Sequence, residues 1–429
     1  MRSDAVKKVL ELLNREPQVS DYKLNVTKKE SYELFFVKGK LETVRATDTC
    51  DRKVTVYVDH DGFRGDSVLL LYPSTTEVQM QDKVAEAVRS ALLIRNVPYS
   101  LPGAETAECR IPTNLDEKPM AELAEEIAKL VFAANAHADG SLNSVEIFLN
   151  RYTESVQNSR GLFKTQQRWT AMVEAIPTFN GDRESVELYE QYNFSALSAS
   201  ALTAEIADQM DAVQARYEAV KPDFSMDCPV VLNRQELCDL FGAIADDLNY
   251  ATVYSHGNLF HKGDKIQKNR VGDPLTLHMK GSMEGNIASS GFDSDGLSLG
   301  EVTLVRDGTA ENYYGSYRFG QYLGEVPTGN LGCICVEPGS FRPEQLSGRP
   351  YLEVLAMSGL QVDFFNDYIG GEVRLAYYHD GEKLLPVTGI SISGKLGEVL
   401  DRMKLSADTA VYDGYTGPAK AMLDNMQIF

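Results

Sequence analysis

The pattern of hydrophobic and polar positions divides the first half of the chain into two runs of strands, each followed by helices. Residues 32–71 (YELFFVKGKLETVRATDTCDRKVTVYVDHDGFRGDSVLLL) alternate β-branched and aromatic residues with polar ones, and Lys38-Gly39 and Asp61-Gly62 interrupt the alternation. Such interruptions mark tight turns, so the segment predicts a β meander. Helical periodicity precedes and follows it, in MRSDAVKKVLELLNRE, with Ser3 as the expected cap, and in QMQDKVAEAVRSALLI.

A longer helix is predicted to begin at Pro119, because apolar residues recur at i, i+4, i+7, i+8 and i+11 from Leu123 to Ala134. A second meander over residues 144–178 (SVEIFLNRYTESVQNSRGLFKTQQRWTAMVEAIPT) precedes a helix near residues 197–219. Strands followed by helices, twice over, predict a two-domain α+β fold with antiparallel β meanders and packed helices in its N-terminal part.

The segment KPDFSMDCP, residues 221–229, is the predicted domain boundary, because it is bracketed by prolines and a new apolar run starts at Val230. We expect an N-terminal α+β domain over residues 1–222 and a β-rich C-terminal domain over residues 223–429. The second domain opens with a helix, NRQELCDLFGAIADDL, capped by Asn233. From about residue 252 the pattern is mostly β, and short helical signals follow at residues 395–403 and 419–426.

Composition narrows the class of protein. Hydrophobic residues make up 43% of the 429 residues, and no apolar run approaches the length of about 18 residues that a membrane span needs. The N-terminus lacks a signal-peptide pattern, so we expect a cytoplasmic protein without membrane attachment. A formal net charge of −20 repels phosphate backbones, which argues against direct nucleic-acid binding.

Two enzyme signatures overlap in GFDSDGLSLGEV, residues 291–302. A calcium loop would start at Asp293 and Asp295, but positions 5 and 12 of that loop would fall on Leu297 and Leu304, which offer no side-chain oxygen. The G-x-S-x-G pattern around Ser298 needs a strand that turns sharply into a helix. Here a hairpin pattern around Asp307-Gly308 follows instead, so a polar turn leading into an antiparallel ribbon is the preferred interpretation.

Few other titratable groups converge in the sequence. Phosphate-binding and dinucleotide-binding glycine motifs are absent, and so is H-E-x-x-H. His256 and His261 flank the loop SHGNLFHKGD and, with His278, leave open an unorthodox metal site, although solvated loop histidines are the more common case. Cys333 and Cys335 would share one face of a strand, and two thiolates alone make a poor zinc site.

Several blocks in succession resemble the TldD/PmbA family, whose members are often named modulators of DNA gyrase. In the C-terminal half they are FDSDGL with LVRDGTAENYYGSYRFGQYLG, VEPGSFRPEQL, NDYIGG and HDGEKLLPVTGISISGKL. Upstream they are KGKLETVRATDTCDRKVTVYVDHDGFRGDS, the NSRG of residues 158–161, and PVVLNRQELCDLFGAIADDL. The resemblance spans most of the chain in order, and it implies that GFDSDGLSLGEV is the family's turn and hairpin.

The resemblance also implies a place for a metal site. TldD-type members are metallopeptidases with H-E-x-x-x-H on the helix after the Val-Val-Leu strand, completed by a cysteine near the C-terminus. The matching positions here are Gly242, Ala243 and Asp247, and the last cysteine is Cys335. Glycine and alanine cannot ligate zinc, so the chain is similar to the TldE/PmbA type, which carries no metal and no catalytic residues of its own.

The implied function is therefore that of a non-catalytic subunit. Such a chain would pair with a zinc-containing TldD-type metallopeptidase, form a homodimer when isolated, and help to process unfolded peptides such as microcin precursors or an unstable antitoxin. A β-rich body with open strand edges could hold an extended peptide as an added strand. The alternatives are an autonomous metallopeptidase with an atypical site at His256, His261 and His278, and a non-enzymatic protein that binds gyrase or an antitoxin.

Overall fold

The N-terminal part is a long, mostly antiparallel sheet with helices packed on it. The computed structural model describes residues 4–134 and 140–429, and the cap predicted at Ser3 lies outside these ranges. In chain order the elements are α1 (Asp4–Arg15), β1 (Asp21–Val37), β2 (Lys40–His60), β3 (Phe63–Leu71), α2 (Glu77–Ala91), β4 (Thr106–Arg110), α3 (Met120–Ala133), β5 (Gly140–Asn158), β6 (Phe163–Phe179), β7 (Val186–Glu187), β8 (Glu190–Phe194) and α4 (Ala199–Glu218). The predicted meanders and helices are confirmed.

The N-terminal strands pair in the order β3-β2-β1-β5-β6-β4, with β7 and β8 also on β6. Two hydrophobic clusters hold helices to this sheet. One joins α1 and α2 to β1, β2 and β3 through side chains such as Val9, Val56 and Val84, and the other joins α3 and α4 to β5 and β6 through Ile127 and Ile206. The helical stripes that are visible in the sequence are therefore the faces that close the sheet.

The strand β2 extends beyond its neighbour on one side. Its residues 52–60 pair with β3, whereas residues 40–51 pair with β1 alone among the described strands. Leu41 and Val44 of this half are about half exposed, at 51% and 47%. Twelve residues of β2 thus present an open strand edge to solvent, a feature that most sheets cover or shorten.

The C-terminal part contains two further sheets around one helix. Its elements are β9 (Val230–Asn233), α5 (Arg234–Asp247), α6 (Tyr250–Tyr254), β10 (Leu277–Lys280), β11 (Glu301–Arg306), β12 (Thr309–Ala310), α7 (Tyr317–Leu323), β13 (Cys333–Val336), a 3₁₀ turn (Pro343–Leu346), β14 (Tyr351–Met357), β15 (Gln361–Asp363), β16 (Tyr368–His379), β17 (Leu384–Val387), β18 (Ile390–Lys395), α8 (Leu396–Arg402), β19 (Lys404–Leu405), β20 (Thr409–Tyr412), β21 (Tyr415–Pro418), β22 (Lys420–Leu423) and β23 (Gln427–Ile428). This part is rich in strands, which confirms the α+β fold class.

One of these sheets has the order β12-β11-β10-β13-β21-β20, and the other β19-β22-β9-β14-β16-β18-β23, with β15 and β17 paired to β16. The buried side of α5 contributes Leu240, Phe241 and Ile244 to a core that also contains residues of both sheets. The predicted boundary segment, residues 221–229, lies between α4 and β9. None of the helices in the described part of the chain is long and apolar enough to cross a membrane.

One local prediction in this half was wrong and another is confirmed. Residues 419–426 are not helical, because Lys420–Leu423 pairs with β9 on one side and β19 on the other, and this pairing overrides the helix propensity of Ala, Met and Leu. The hairpin around Asp307-Gly308 is confirmed, but its second strand stops at Ala310. The next element, α7, begins at Tyr317.

Candidate functional site

The helix α5 is placed by the strand before it and by its apolar side. β9 is a buried strand between β22 and β14, and α5 starts directly after it. Asn233 is the N-cap residue, as predicted, but its side-chain amide donates to the carbonyl of Val354 at 3.1 Å and not to the helix. Glu236, three residues on, is buried, and burial raises its pKa to about 7.

The opposite side of α5 faces an open groove of about 620 Å³. The helix lines it with Cys238, Asp239, Gly242, Ala243 and Asp246, and strand segments contribute Met279, Ile334, Leu360 and Val362. The groove is mixed in polarity, and burial raises the pKa of the Cys238 thiol to about 11. That thiol is thus held in its protonated form, which is a poor metal ligand and a poor nucleophile at neutral pH.

Two of the three positions predicted from the family's metal motif lie in this groove. A Cβ atom added to Gly242 would meet only the Cδ1 atom of Ile334, at 3.7 Å, so a larger side chain has room there. Ala243 offers a methyl group. The position is therefore open in space but empty of donor atoms, and the two residues present do not fit a zinc ion.

The third position, Asp247, forms hydrogen bonds outside the groove. It is buried, does not line the groove, and accepts hydrogen bonds from the backbone amides of Leu259 at 2.7 Å and Phe260 at 2.9 Å. Its carboxylate fixes the loop that follows α6 onto the end of α5. A metal in the groove would thus find no ligand among the three positions.

The histidines of the alternative metal site lie in separate environments. His256 is exposed at the end of α6, and His261 is exposed with its Nδ1 atom 3.6 Å from the Asp264 carboxylate. His278 lies on β10, where its Nδ1 atom is 3.0 Å from the hydroxyl of Thr303. Among all residues that the structure describes, no three histidine, cysteine, aspartate or glutamate side chains are grouped so that they could hold a metal ion.

Cys333 and Cys335 lie on β13, as the sequence predicted. Cys333 is fully buried and Cys335 partly so, and burial raises the pKa of both thiols. Their position between β10 and β21 is that of residues in a packed sheet.

The segment GFDSDGLSLGEV is a turn that contacts the N-terminal sheet. The Asp293 carboxylate accepts from the amides of Asp295 and Leu297, at 2.9 and 3.0 Å, and from that of Asn330 at 3.1 Å. Asp295 forms an ion pair with Lys23 of β1. Both carboxylates therefore have structural partners, which agrees with the rejection of a calcium loop.

Ser298 of the same turn contacts a buried lysine. The Lys164 ammonium, with its side chain fully buried on β6, donates to the Ser298 hydroxyl at 2.7 Å and lies 2.8 Å from the Glu105 carboxylate. A lysine that activates a serine must accept the proton of its hydroxyl, whereas the Lys164 ammonium donates to Ser298 and is paired with the Glu105 carboxylate. The serine is thus an anchor between the two parts of the chain, and no nucleophile elbow forms here.

Sequence reasoning missed a cavity of about 450 Å³ at another junction of the two parts. Its walls come from the β7–β8 connection, α4, the start of α5, and strands β14, β16, β20 and β22. No local motif could have revealed it, because the segments that meet there are far apart in sequence.

Comparison with known proteins adds a relationship to these observations. Residues 225–429 match the model of the PmbA/TldA metallopeptidase C-terminal domain. A metalloprotease PmbA homologue from Haemophilus influenzae is 25% identical over 195 residues, a match that spans 42% of this chain and 42% of that protein. Residues 225–429 thus form a domain of the PmbA/TldA metallopeptidase C-terminal family. The alignment thus spans less than half of the length of this relative.

Solved structures with the TldD/PmbA fold superpose on nearly the whole chain. TldE from Thermococcus kodakarensis aligns with a TM-score of 0.81 and 14% identity, over 98% of this chain and 99% of its own. A protein named for modulation of DNA gyrase, from Thermotoga maritima, aligns with a TM-score of 0.79 and 14% identity, over 99% of both chains. At these identities the likeness establishes the fold alone.

Proposed function

We propose that this TldD/PmbA-family chain is the TldE-type subunit of a cytosolic zinc metallopeptidase complex that processes unfolded peptides, with the zinc held by a TldD-type partner. The observation that carries the proposal is the composition of the groove on α5. Gly242 and Ala243 contribute no ligand atom to it, and the third position of the motif, Asp247, is engaged by two backbone amides outside it. A chain of this family with such a groove would contribute binding surface and not catalysis.

A strand with one open edge supports a role in peptide binding. Among the described strands, β15 (Gln361–Asp363) pairs only with β16, and Leu360 and Val362 line the groove on the side that faces α5. An extended peptide laid in the groove would bond to the open edge of β15 through its main chain, independently of its sequence. That property suits a complex that acts on unfolded substrates.

The open edge of β2 supports the presence of a partner subunit. Residues 40–51 leave main-chain amides and carbonyls without a strand partner, and exposed Leu41 and Val44 lie among charged residues. We assign this edge to the TldD-type subunit, and in the isolated chain to a second copy of itself. The expected state of the purified chain is therefore a homodimer.

The test is zinc content by mass spectrometry together with hydrolysis of casein as the unfolded substrate. Both are measured on the purified chain, on a TldD-type protein, and on their mixture. We expect the chain alone to be metal-free and inactive, and the mixture to cleave casein faster than the TldD-type protein alone. A mixture that is no faster than the TldD-type protein would remove the subunit proposal.

A matched pair of variants tests the groove itself. Ala243→Trp fills the groove, whereas Ala201→Trp adds the same side chain at an exposed position of α4. We expect the first to slow casein hydrolysis by the mixture without changing its zinc content, and the second to change neither. Equal effects of the two variants on casein hydrolysis would show that the groove does not bind the peptide substrate.

The same measurements decide between the alternatives. Stoichiometric metal and casein hydrolysis in the chain alone would establish an autonomous metallopeptidase, with His256, His261 and His278 as the first residues to replace. Binding of gyrase rests on the names of two solved relatives, and binding of an antitoxin rests on the family resemblance alone. A pull-down that recovers gyrase in stoichiometric amount, from a chain that does not stimulate a TldD-type protein, would favour it.

A further inference from the structure

The open edge of β2 contains one regular stretch, residues 43–51. At one end of this stretch, a β-bulge at Glu42 shifts the register of β2 against β1. At the other end, β3 begins to pair with β2 at Arg52. Within the described part of the chain, β1 is the only strand that pairs with residues 43–51, and each residue of the stretch is exposed or partly exposed. The stretch therefore has one complete side of main-chain groups without a partner strand.

The turns on either side of β2 indicate which of its main-chain groups point outward. Both are two-residue turns with positive φ at each residue, Lys38-Gly39 and Asp61-Gly62, and in such hairpins the flanking pair exchanges both main-chain hydrogen bonds. His60 therefore faces β3, and so does every second residue before it. Lys40 faces β1, and the bulge at Glu42 reverses the alternation, so that even-numbered residues beyond the bulge face away from β1.

Two hydrogen bonds at the far end of β2 agree with this alternation. Tyr57 accepts from the amide of Ser20 at 2.9 Å, on the β1 side. Arg64 of β3, which lies opposite Asp59, donates its amide to the carbonyl of Asn96 at 3.0 Å, away from β2. Odd-numbered residues of β2 therefore face β1. In the open stretch, the amides and carbonyls that face solvent are those of Val44, Ala46, Asp48 and Cys50.

We propose that a second copy of this chain occupies the edge, with residues 43–51 of the two copies paired antiparallel about a twofold axis at Thr47. Thr47 is the midpoint of the stretch, so this register pairs all of it and forms about eight main-chain hydrogen bonds, two for each pair of outward-facing residues. An axis at Ala46 or Asp48 leaves fewer outward-facing residues opposite one another, with about six such bonds. The inference rests on the proposed function only in that this edge is a contact between subunits.

Arg45 favours an axis at Thr47. Its side chain is 56% exposed, and it lies opposite Thr49 of the second copy and diagonal to Asp51 of that copy. The twofold axis repeats this contact, so the dimer contains two pairs of opposite charge. An axis at Arg45 itself would instead place two guanidinium groups directly opposite each other, which is destabilising.

Asp48 excludes an axis at its own position, because two carboxylates would then lie directly opposite each other. With the axis at Thr47, Asp48 lies opposite Ala46 and diagonal to Asp48 of the second copy, and Lys28 of its own chain, 3.2 Å away, offsets its charge. An axis at Ala46 places no like charges directly opposite each other and is disfavoured by the number of hydrogen bonds alone. A measurement of the register therefore has to separate these two axes.

Cysteine cross-linking of the full-length chain tests the register. A residue on the axis at Thr47 forms a non-hydrogen-bonded pair with its own copy, with Cα atoms about 4.5 Å apart, a distance that a disulfide spans. In a Cys50→Ser background, Thr47→Cys should thus give a covalent dimer on mild oxidation. Thr49→Cys is the matched control, since it alters the same residue type on the same face. Its two copies would lie about 14 Å apart along the strands and should stay monomeric on a denaturing gel.

The other outcomes overturn the proposal. Faster cross-linking through Ala46→Cys or Asp48→Cys than through Thr47→Cys would place the axis elsewhere. Equal cross-linking through Thr47→Cys and Thr49→Cys would show that the strands are not antiparallel about Thr47. An unaltered chain that sediments as a monomer would remove the second copy altogether. None of these results bears on the subunit role, which the casein assay decides.

A proline variant tests the edge without cross-linking. The Ala46 amide faces outward, so Ala46→Pro removes no hydrogen bond to β1, and proline is accepted on the free side of an edge strand. It should weaken the dimer at least about tenfold in sedimentation velocity, because each copy loses a hydrogen bond across the pair and the ring obstructs the approach. Ala46→Val keeps the amide and should remain dimeric, and circular dichroism checks that both variants are folded. An Ala46→Pro variant that is folded and fully dimeric would refute the pairing.

Discussion

Replacing Ser298 by alanine tests whether the turn of residues 291–298 anchors the two parts of the chain together. The Lys164 side chain is fully buried, and its ammonium group has two protein partners, the Ser298 hydroxyl at 2.7 Å and the Glu105 carboxylate at 2.8 Å. Removing the hydroxyl leaves a buried charge with one partner fewer. Hydrogen bonds to charged groups contribute about 1.5–3 kcal/mol, so we expect the free energy of unfolding to fall by that amount.

If Ser298→Ala lowers stability because of the buried charge, its effect should depend on the presence of Lys164. In a Lys164→Met background the buried charge is gone, so Ser298→Ala should cost less than about 0.5 kcal/mol. Lys164→Met itself should change stability by less than removal of a partner does, because methionine fills a similar volume without a charge to solvate. Urea unfolding followed by the fluorescence of Trp169, the single tryptophan, on the same strand, measures all four proteins.

Ser294→Ala is the matched control, since Ser294 lies in the same turn and only its backbone carbonyl is used, by Asn25. It should change the free energy of unfolding by no more than about 0.5 kcal/mol. If Ser298→Ala costs the same in the presence and absence of Lys164, the turn is not anchored by this contact and the reasoning fails.

Three further predictions concern α5 and the same turn. Asp247→Asn replaces one of the two carboxylate oxygens, each of which accepts from a backbone amide, by an NH2 group that can only donate. It should cost about 2–3 kcal/mol in urea unfolding and speed the proteolysis of the loop after α6. Unchanged proteolysis of that loop would count against this prediction. The folded pKa of Glu236, about 7, lies above its ordinary 4.5, so its stabilising contribution is full below pH 4.5 and is lost as the pH rises through 7. Relative to Glu236→Gln, the unaltered chain should thus lose on the order of 3 kcal/mol between pH 4.5 and pH 8, and parallel pH profiles would disprove this. Gly296→Ala should lower the melting temperature, because φ is +87° and a Cβ would lie 2.3 Å from the Cδ2 atom of Leu162, whereas Gly300→Ala meets nothing within 4 Å and should not. Equal melting temperatures of these two variants would contradict the packing described for the turn.

The helices and strands that could be predicted are those whose hydrophobic pattern is complete within one segment of the chain. The stripe of Leu237, Leu240, Phe241, Ile244 and Leu248 is contained in one helix and its C-cap residue, and each of these side chains is fully buried in the structure. The helix predicted at residues 419–426 was wrong for the opposite reason. Their composition suits a helix, but strand partners distant in sequence decide their conformation.

The candidate site was likewise only partly predictable from the sequence. The positions of Gly242, Ala243 and Asp247 followed from the succession of family blocks, and the first two do lie in a groove. Their sequence could not reveal that Asp247 turns away to hold a loop, because its partners lie beyond another helix. The contact of Ser298 with Lys164 joins residues 134 positions apart, and no periodicity reports such a pair.

The turn at residues 291–298 also affects the order in which parts of the protein fold during synthesis. Gln166, whose side chain accepts from the amide of Gly291 at 2.8 Å, and Lys164 leave the ribosome more than a hundred residues before the turn does. Until then the pocket on the N-terminal sheet has no Phe292 to fill it and no Ser298 to receive the lysine. Seating of this turn is thus expected to be a late event in synthesis, and a nascent chain stalled before it would leave this part of the N-terminal sheet exposed to chaperones and proteases.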